Sequence, residues 1–346
     1  MRDIRFLILG AVSVTLSSGT AFAASSSNTA AVSVATATTV SQTSTQSVVR
    51  TISNSVSDGL SRAFSSGNFF RHGSSSKRVG MGDTSTGVSS GETASGLAAW
   101  GSADYTYVRI VPDGDTSQRR LTDIYSGVAG LDYAINDKML AGVAVSYARA
   151  ETDGRTLSAS KLDQTSDSFT VAPYFGYAPI DNLTIDLVVG YTYSNIDTTS
   201  EETGRAVTGS NNSSVLFGAI NLGYVFPVTD SIAIKAFTGL SAQASKVDGY
   251  YDSRNFYVQE DKNEHVVARV GAKAMVAMTE STQGYFSAAY ERESQMSALS
   301  ENSVRFTLGT SSSLTDGLDL VAEGMANVGR ETQQEYGAAL NLRMRF

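Results

Sequence analysis

The sequence predicts an all-β chain that closes into a transmembrane barrel of twelve antiparallel strands, and three observations carry that prediction. Beyond Gly96, apolar and polar residues alternate with period two until the chain ends, as strands with one lipid-facing and one water-facing side require. The alternating segments number twelve, an even count of the kind bacterial barrels have. The connections between them run long and short in turn, which suits a membrane barrel with long outside loops and short inside turns. A soluble sandwich has no reason to sort its loops by parity.

Composition narrows the function classes. The chain has no Cys and four Pro, and it is rich in Gly, Ser, Thr and Tyr, a β-type profile without a disulfide framework or a Cys-based metal site. A net charge of −8 with scattered cations removes the electrostatic basis for nucleic-acid binding.

The first element is a secretory signal peptide. Arg2 and Arg5 precede the apolar stretch Phe6 to Leu16, and Ala21-Phe22-Ala23 supplies a small-x-small site, so cleavage is expected between Ala23 and Ala24. The stretch is too short and too interrupted by Ser and Thr to act as a membrane anchor. Residues 24–45 follow as a low-complexity Ala/Ser/Thr segment without the large apolar residues that offset ordering entropy, and they are expected to be mobile.

A helix is expected over 46–64. Val48, Ile52, Val56, Leu60 and Phe64 recur every fourth residue and line one side, while Arg50, Asp58 and Arg62 lie on the rest. Nineteen such residues make a rod of about 28 Å, comparable with bilayer thickness, yet the other face is too polar for lipid. Residues 65–96 are a Gly/Ser-rich linker.

The twelve strands are expected at 98–110, 122–135, 139–150, 164–178, 183–197, 213–226, 232–245, 264–278, 283–293, 301–312, 318–330 and 333–346. Leu183, Ile185, Leu187, Val189, Tyr191 and Tyr193, interleaved with Thr184, Asp186, Gly190, Thr192 and Ser194, display the alternation most fully. Long loops are expected at 111–121, 151–163, 198–212, 246–263 and 294–300. Aromatics such as Tyr105, Tyr125, Tyr147, Tyr191, Tyr224, Tyr285 and Phe346 fall near strand ends, where interfacial girdles sit.

With those elements in place, the chain resembles the β-domain of classical, monomeric autotransporters of Gram-negative bacteria from about Gln46 to Phe346. The segments that carry the resemblance are GLAAWGSADYTY, GLDYAINDKMLAGVAVSYA, TVAPYFGYAPIDNLTIDLVVGY and the terminal EYGAALNLRMRF. The ending is similar to the signal read by the barrel assembly machinery: Glu335, Gly337, Leu340, Leu342 and the aromatic terminus Phe346. An unpaired alternating edge strand of this kind is suited to β-augmentation.

The resemblance implies an α-helix threaded through the lumen, insertion into outer-membrane lipid by the assembly machinery with periplasmic chaperones, and export of an N-terminal segment to the cell surface as a monomer. It implies no cofactor. Lumen-facing charges are expected at Lys235, Arg269, Lys273, Arg305, Arg343 and Arg345, joined by Asp104, Asp186, Asp319 and Glu323, to pair with Arg50, Asp58 and Arg62 of the helix. One departure is plain. Only about twenty residues separate the signal peptide from the expected helix, where the family carries a long repetitive passenger.

Enzymatic readings find little support. The chain has no P-loop, no G-x-S-x-G and no H-E-x-x-H. Glu264-His265 at a strand rim could begin a hydrolase site, but two interfacial polar residues account for it more simply. Carboxylates at 151, 153, 201, 202, 252, 260 and 261 lack the spacing of a cation loop. Some family members cut themselves at an Asn-Asn junction in the helix; here that helix offers Asn54-Ser55, and Asn211-Asn212 falls in an expected surface loop. These features together are expected of a translocator displaying a very short N-terminal segment. Its rivals are a surface protein whose loops bind host or neighbouring cells, and a small passive pore.

Overall fold

The computed structural model describes residues 28–64, 96–111, 119–136, 138–155, 161–202, 204–295, 301–315, 317–330 and 333–346. The expected signal peptide, its cleavage point at Ala23 and Ala24, and the linker before Gly96 lie outside the described residues. Among those described, the elements are α1 (Asn28–Phe64), β1 (Leu97–Ile110), β2 (Arg120–Asn136), β3 (Met139–Arg155), β4 (Lys161–Tyr177), β5 (Leu183–Glu202), β6 (Arg205–Pro227), β7 (Ile232–Val247), β8 (Tyr250–Tyr251), β9 (Tyr257–Val258), β10 (Asp261–Ala277), β11 (Thr282–Gln295), β12 (Glu301–Thr315), β13 (Leu318–Val328) and β14 (Gln333–Arg345).

Twelve strands form one closed antiparallel barrel in chain order, with β8 and β9 set apart as a small hairpin between β7 and β10. The last strand closes on the first, from Ile110 opposite Gln333 to Ala98 opposite Arg345. Closure leaves no free edge, and every ladder group finds a partner where water cannot supply one. No described helix is long and apolar enough to cross a membrane.

The alternation read from the sequence becomes an outside and an inside. Leu187, Val189, Tyr191 and Tyr193 on β5 are exposed outward, while Val188, Thr192 and Ser194 are buried. The outward series turns polar at a shared height. Tyr147, Phe169 and Tyr193 are consecutive cross-strand partners, and beyond them come Arg149, Asp167 and Asn195. Tyr147 donates to Asp167 at 2.5 Å and Tyr105 to Asp123 at 2.6 Å, rings toward lipid and hydroxyls toward water. Tyr285 departs from the expected girdle: it is buried in the lumen, where its hydroxyl meets Glu323 at 2.7 Å.

Three expectations about boundaries change. First, α1 starts at Asn28 rather than Gln46, so the segment expected to be mobile is helical from there. Thr, Val and Ser outnumber Ala there and favour helix weakly, so the packing that the barrel supplies and an isolated segment lacks decides it, with Thr43 Oγ1 turned back onto Thr39 O at 2.9 Å. Second, much of the long loops at 151–163 and 198–212 is strand, with β5 and β6 joined through the tight turn at Gly204 (φ +77°). These hairpin tips are polar on both faces, so they carry no hydrophobic period to read. Asn211 and Asn212 therefore lie within β6, not in a loop. Third, the 246–263 connection holds the β8–β9 hairpin, braced by Asp252, which accepts from the backbone of Arg254 and Phe256 at 2.9 Å each.

Candidate functional site: the helix-filled lumen

The lumen is built from the inward half of each strand together with α1, whose side chains are described from Thr36 to Ser57 and at Leu60. Asp58 and Arg62, expected to pair with the wall, lie outside the described side chains. The helix crosses the whole barrel. Leu60 lies against Gly176, near the short turns, where a Cβ would come within 2.7 Å of it. At the opposite mouth Thr38 donates to Asp261 at 2.7 Å, and Arg120 donates to Thr36 at 3.1 Å.

One side of the helix packs on an uncharged wall. Val48, Val49, Ile52, Val56 and Leu60 join Trp100, Val128, Leu140, Ala144, Ala172, Tyr174, Val188, Phe217 and Ala219 in a single buried cluster. Glycines make room for its aromatics. Trp100 lies over its cross-strand partner Gly130, Tyr174 over Gly142 and Phe217 over Gly190, with an added Cβ meeting each ring at 2.5 Å or less. Toward the outer mouth the same wall turns to hydroxyls. Thr170 pairs with Thr192 at 2.8 Å, Ser168 with Ser194 at 2.8 Å, and Ser41 of the helix with Ser213 at 3.0 Å.

The other side faces charge. Arg305 donates to Glu291 at 3.0 Å and to Glu335 at 3.0 Å. Arg50 reaches from the helix to the same two carboxylates, at 2.9 Å from Glu335 and 3.7 Å from Glu291. Arg330 binds Glu293 and lies 3.9 Å from Glu291, to which Asn327 also donates at 3.1 Å. Three guanidinium groups thus meet three carboxylates, a balance that buried charge requires. His265 completes the cluster, with Nε2 at 3.2 Å from Glu293 and Nδ1 at 2.9 Å from Gln243. It is buried in the lumen rather than at a rim, and its ring is held by neighbours instead of facing a substrate.

The remaining inward charges find partners nearby. Lys235 donates to Ser57 at 2.8 Å, and Arg343 donates to the carbonyl of Ser55 at 3.2 Å and pairs with Asp132. Arg345 pairs with Asp319 at 3.0 Å, Arg269 donates to Asn221 at 2.6 Å, and Lys273 lies 3.9 Å from the Tyr285 ring centre. Asn221 in turn donates to Asp186 at 2.6 Å, and Thr51 donates to Asp104 at 3.3 Å. Between the helix and β1, β13 and β14 lies a cleft of about 530 Å³, counting the solvent open to it, lined by Thr51, Asn54, Ser55, Asp104, Glu323 and Arg343. A smaller space of about 330 Å³ lies on the far side of Arg50.

The terminal strand is divided between the two faces. Glu335 is buried in the ion cluster, Leu340 and Leu342 are exposed outward, and Phe346 bonds Leu97 O through its backbone at 3.2 Å. Gly337 lies where a Cβ would come within 2.7 Å of Met325 and 2.9 Å of Tyr105 O. Glu291, Glu293 and Arg330 were not among the residues singled out from sequence. The phase of β11 would have found two of them, because Glu291 and Glu293 alternate with the outward-facing Phe286 and Tyr290. The loop carboxylates are engaged as well: Glu151 with Arg149, Asp252 with Arg254, and Glu260 with Lys246 and Lys262.

The family model of the autotransporter β-domain matches residues 99–332. Among solved structures, the translocator domain of the autotransporter NalP from Neisseria meningitidis is similar at 13% identity with a TM-score of 0.67, over 88% of this chain and 98% of that one. The β-domain of the Bordetella autotransporter BrkA is similar at 16% identity and TM-score 0.63, over 72% and 100% of the two chains. The transport unit of AIDA-I from Escherichia coli follows at 14% identity and 0.53, over 74% and 92%. No curated protein sequence matches. At these identities the structural likeness speaks for the fold alone, a closed antiparallel β-barrel.

Proposed function

This chain belongs to the autotransporter β-domain family, and from that premise we propose that its barrel exports the segment N-terminal to the helix and then retains α1 as a plug. Family membership places the barrel in the outer membrane as a transport barrel. The observation that carries the finer reading is the path of α1. Its Leu60 end lies at the short-turn side and its Thr36 end at the side of the β7–β10 connection, so the chain upstream of the helix is directed out of that mouth.

In this reading the signal peptide is removed between Ala23 and Ala24, and the exported segment is short. Periplasmic chaperones deliver the chain, and the assembly machinery reads Glu335, Gly337, Leu340, Leu342 and Phe346 before β14 closes on β1. The barrel acts as a monomer and performs no bond-making chemistry. The helix closes the lumen by apolar packing on one side and ion pairing on the other.

Protease shaving of intact cells carrying an epitope tag after Ala24 tests this. The tag is expected at the surface, where added protease removes it. A tag protected until the outer membrane is breached would end the export reading while leaving the barrel intact.

A further inference from the structure

We infer that Arg50 is the stop that sets where the helix comes to rest in the lumen, an inference that rests on the translocator reading above. From Asn28 to Ser57, α1 contains one charged residue, Arg50. Its apolar stripe is ambiguous about position along the barrel axis. The stripe Val48, Ile52, Val56 and Leu60 repeats every four residues, so a screw of about 6 Å along the axis and about 40° around it lays the stripe on itself.

The wall beneath does not resolve the ambiguity. Ala144, Ala172, Val188 and Ala219 offer small apolar surface that discriminates weakly among Val48, Ile52 and Val56. Farther out, Ser41 meets Ser213 and Gln42 meets Ser245 at 3.1 Å, and the helix carries further hydroxyls one turn away, at Thr38 and Thr45. A slip one way brings Thr45 to Ser213 and Gln46 to Ser245, and a slip the other way brings Thr38 to Ser245 but Ala37 to Ser213, so at most one neutral hydrogen bond of this pair is lost, a smaller cost than an unpaired buried carboxylate. These contacts fix which face of the helix meets the wall, not its height.

Arg50 fixes the height. Its guanidinium completes a buried cluster in which Arg50, Arg305 and Arg330 balance Glu291, Glu293 and Glu335. A slip of one turn in either direction puts Gln46 or Asn54 in its place and leaves three carboxylates facing two guanidinium groups away from water. Removing one partner from such a cluster is strongly unfavourable. An uncharged stretch can therefore slide over the hydroxyl wall until the first cation of the helix reaches its two carboxylates.

The absence of Cys makes this measurable by disulfide trapping in the full chain, assembled in outer membranes and treated with a mild oxidant. Ser41→Cys with Ser213→Cys reports the observed register, since the two oxygens lie 3.0 Å apart. Ala37→Cys with Ser213→Cys reports a slip of one turn. Otherwise wild-type protein is expected to cross-link at 41–213 and not at 37–213. Moving the charge with Gln46→Arg and Arg50→Ser is expected to invert that ratio, and Arg50→Lys to preserve it. Arg50→Ser alone, which disturbs the chain less, is expected to give both products. A helix that still cross-links only at 41–213 after the charge is moved or removed overturns the inference and leaves the translocator reading standing. If the otherwise wild-type chain cross-links in neither register, α1 does not occupy the lumen, and both fall together.

Discussion

The two walls of the lumen hold the same helix by different physics. The inner faces of β3 to β6 carry mostly small, apolar and hydroxyl side chains, with Asp186 the one buried charge among their described residues. Those of β10 to β14 carry Glu291, Glu293, Arg305, Glu335 and Arg343 among other ions, and unfilled space separates part of that wall from the helix. Burial on the first wall is non-directional and scales with area, so it gives adhesion without position. Ion pairing on the second is directional and recovers little net energy after desolvation, so it gives position without much adhesion. A plug that must arrive by moving through the pore needs both, on opposite sides.

The widest test of this contrast is Arg305→Ala. It strips the shared cation from Glu291 and Glu335, both almost fully buried, and is expected to cost about 3–5 kcal/mol. The temperature at which the folded barrel loses its fast gel mobility reports this loss. An unchanged midpoint would mean that the charged wall is already wet, and the contrast between the walls would break.

Leu60→Ala probes the adhesive wall. Leu60 is fully buried against Gly176 and Leu140, so its truncation is expected to cost about 2–5 kcal/mol of helix docking. Planar-bilayer recordings should show more frequent large-conductance openings than the parent. Currents identical to the parent would mean that the apolar seam does not retain the helix.

Smaller effects sharpen the picture. Thr170→Val orphans the hydroxyl of Thr192 and is expected to cost about 1 kcal/mol, whereas Thr170→Val with Thr192→Val removes both partners and is expected to be nearly neutral. Urea titration of the two variants separates these outcomes, and equal losses would assign the hydroxyl wall a directional role that it should lack.

The smallest effect lies outside the membrane. Burial of Asp252 opposes its ionisation, but the N–H of Phe256 and the Arg254 guanidinium outweigh it and hold the carboxyl below its ordinary range. A depressed folded value means that this brace contributes stability at pH above the ordinary carboxylate range and loses it as pH falls through the folded value. Asp252→Asn should mimic the acid state, with faster trypsin cleavage after Arg254 on intact cells at neutral pH. No change in cleavage rate would show that the brace is idle.

Much of this was legible before the fold was known. Strand number, strand order and the faces of Lys235, Arg305 and Arg343 follow from parity alone, because side chains in a strand alternate without exception where the ladder is regular. The upper parts of β5 and β6 were not legible, since both faces there are largely polar and write little hydrophobic period, although the inward one is buried. The first half of α1 was not legible either. Its Ser, Thr and Ala residues look like a linker until the surrounding wall supplies the packing that makes helix preferable to coil.

By itself, then, the sequence determined that a closed barrel forms and which residues line it, because lipid outside and water inside impose a period of two on every strand. Only the tertiary structure decided which lumen charges meet. Glu335 looked like part of a terminal signal, and Arg50 like one of three helix charges expected to pair somewhere on the wall; that these two face each other at 2.9 Å depends on how β14 closes on β1 and on the height at which the helix stops. Such a pairing joins residues nearly three hundred positions apart, and no local period encodes it.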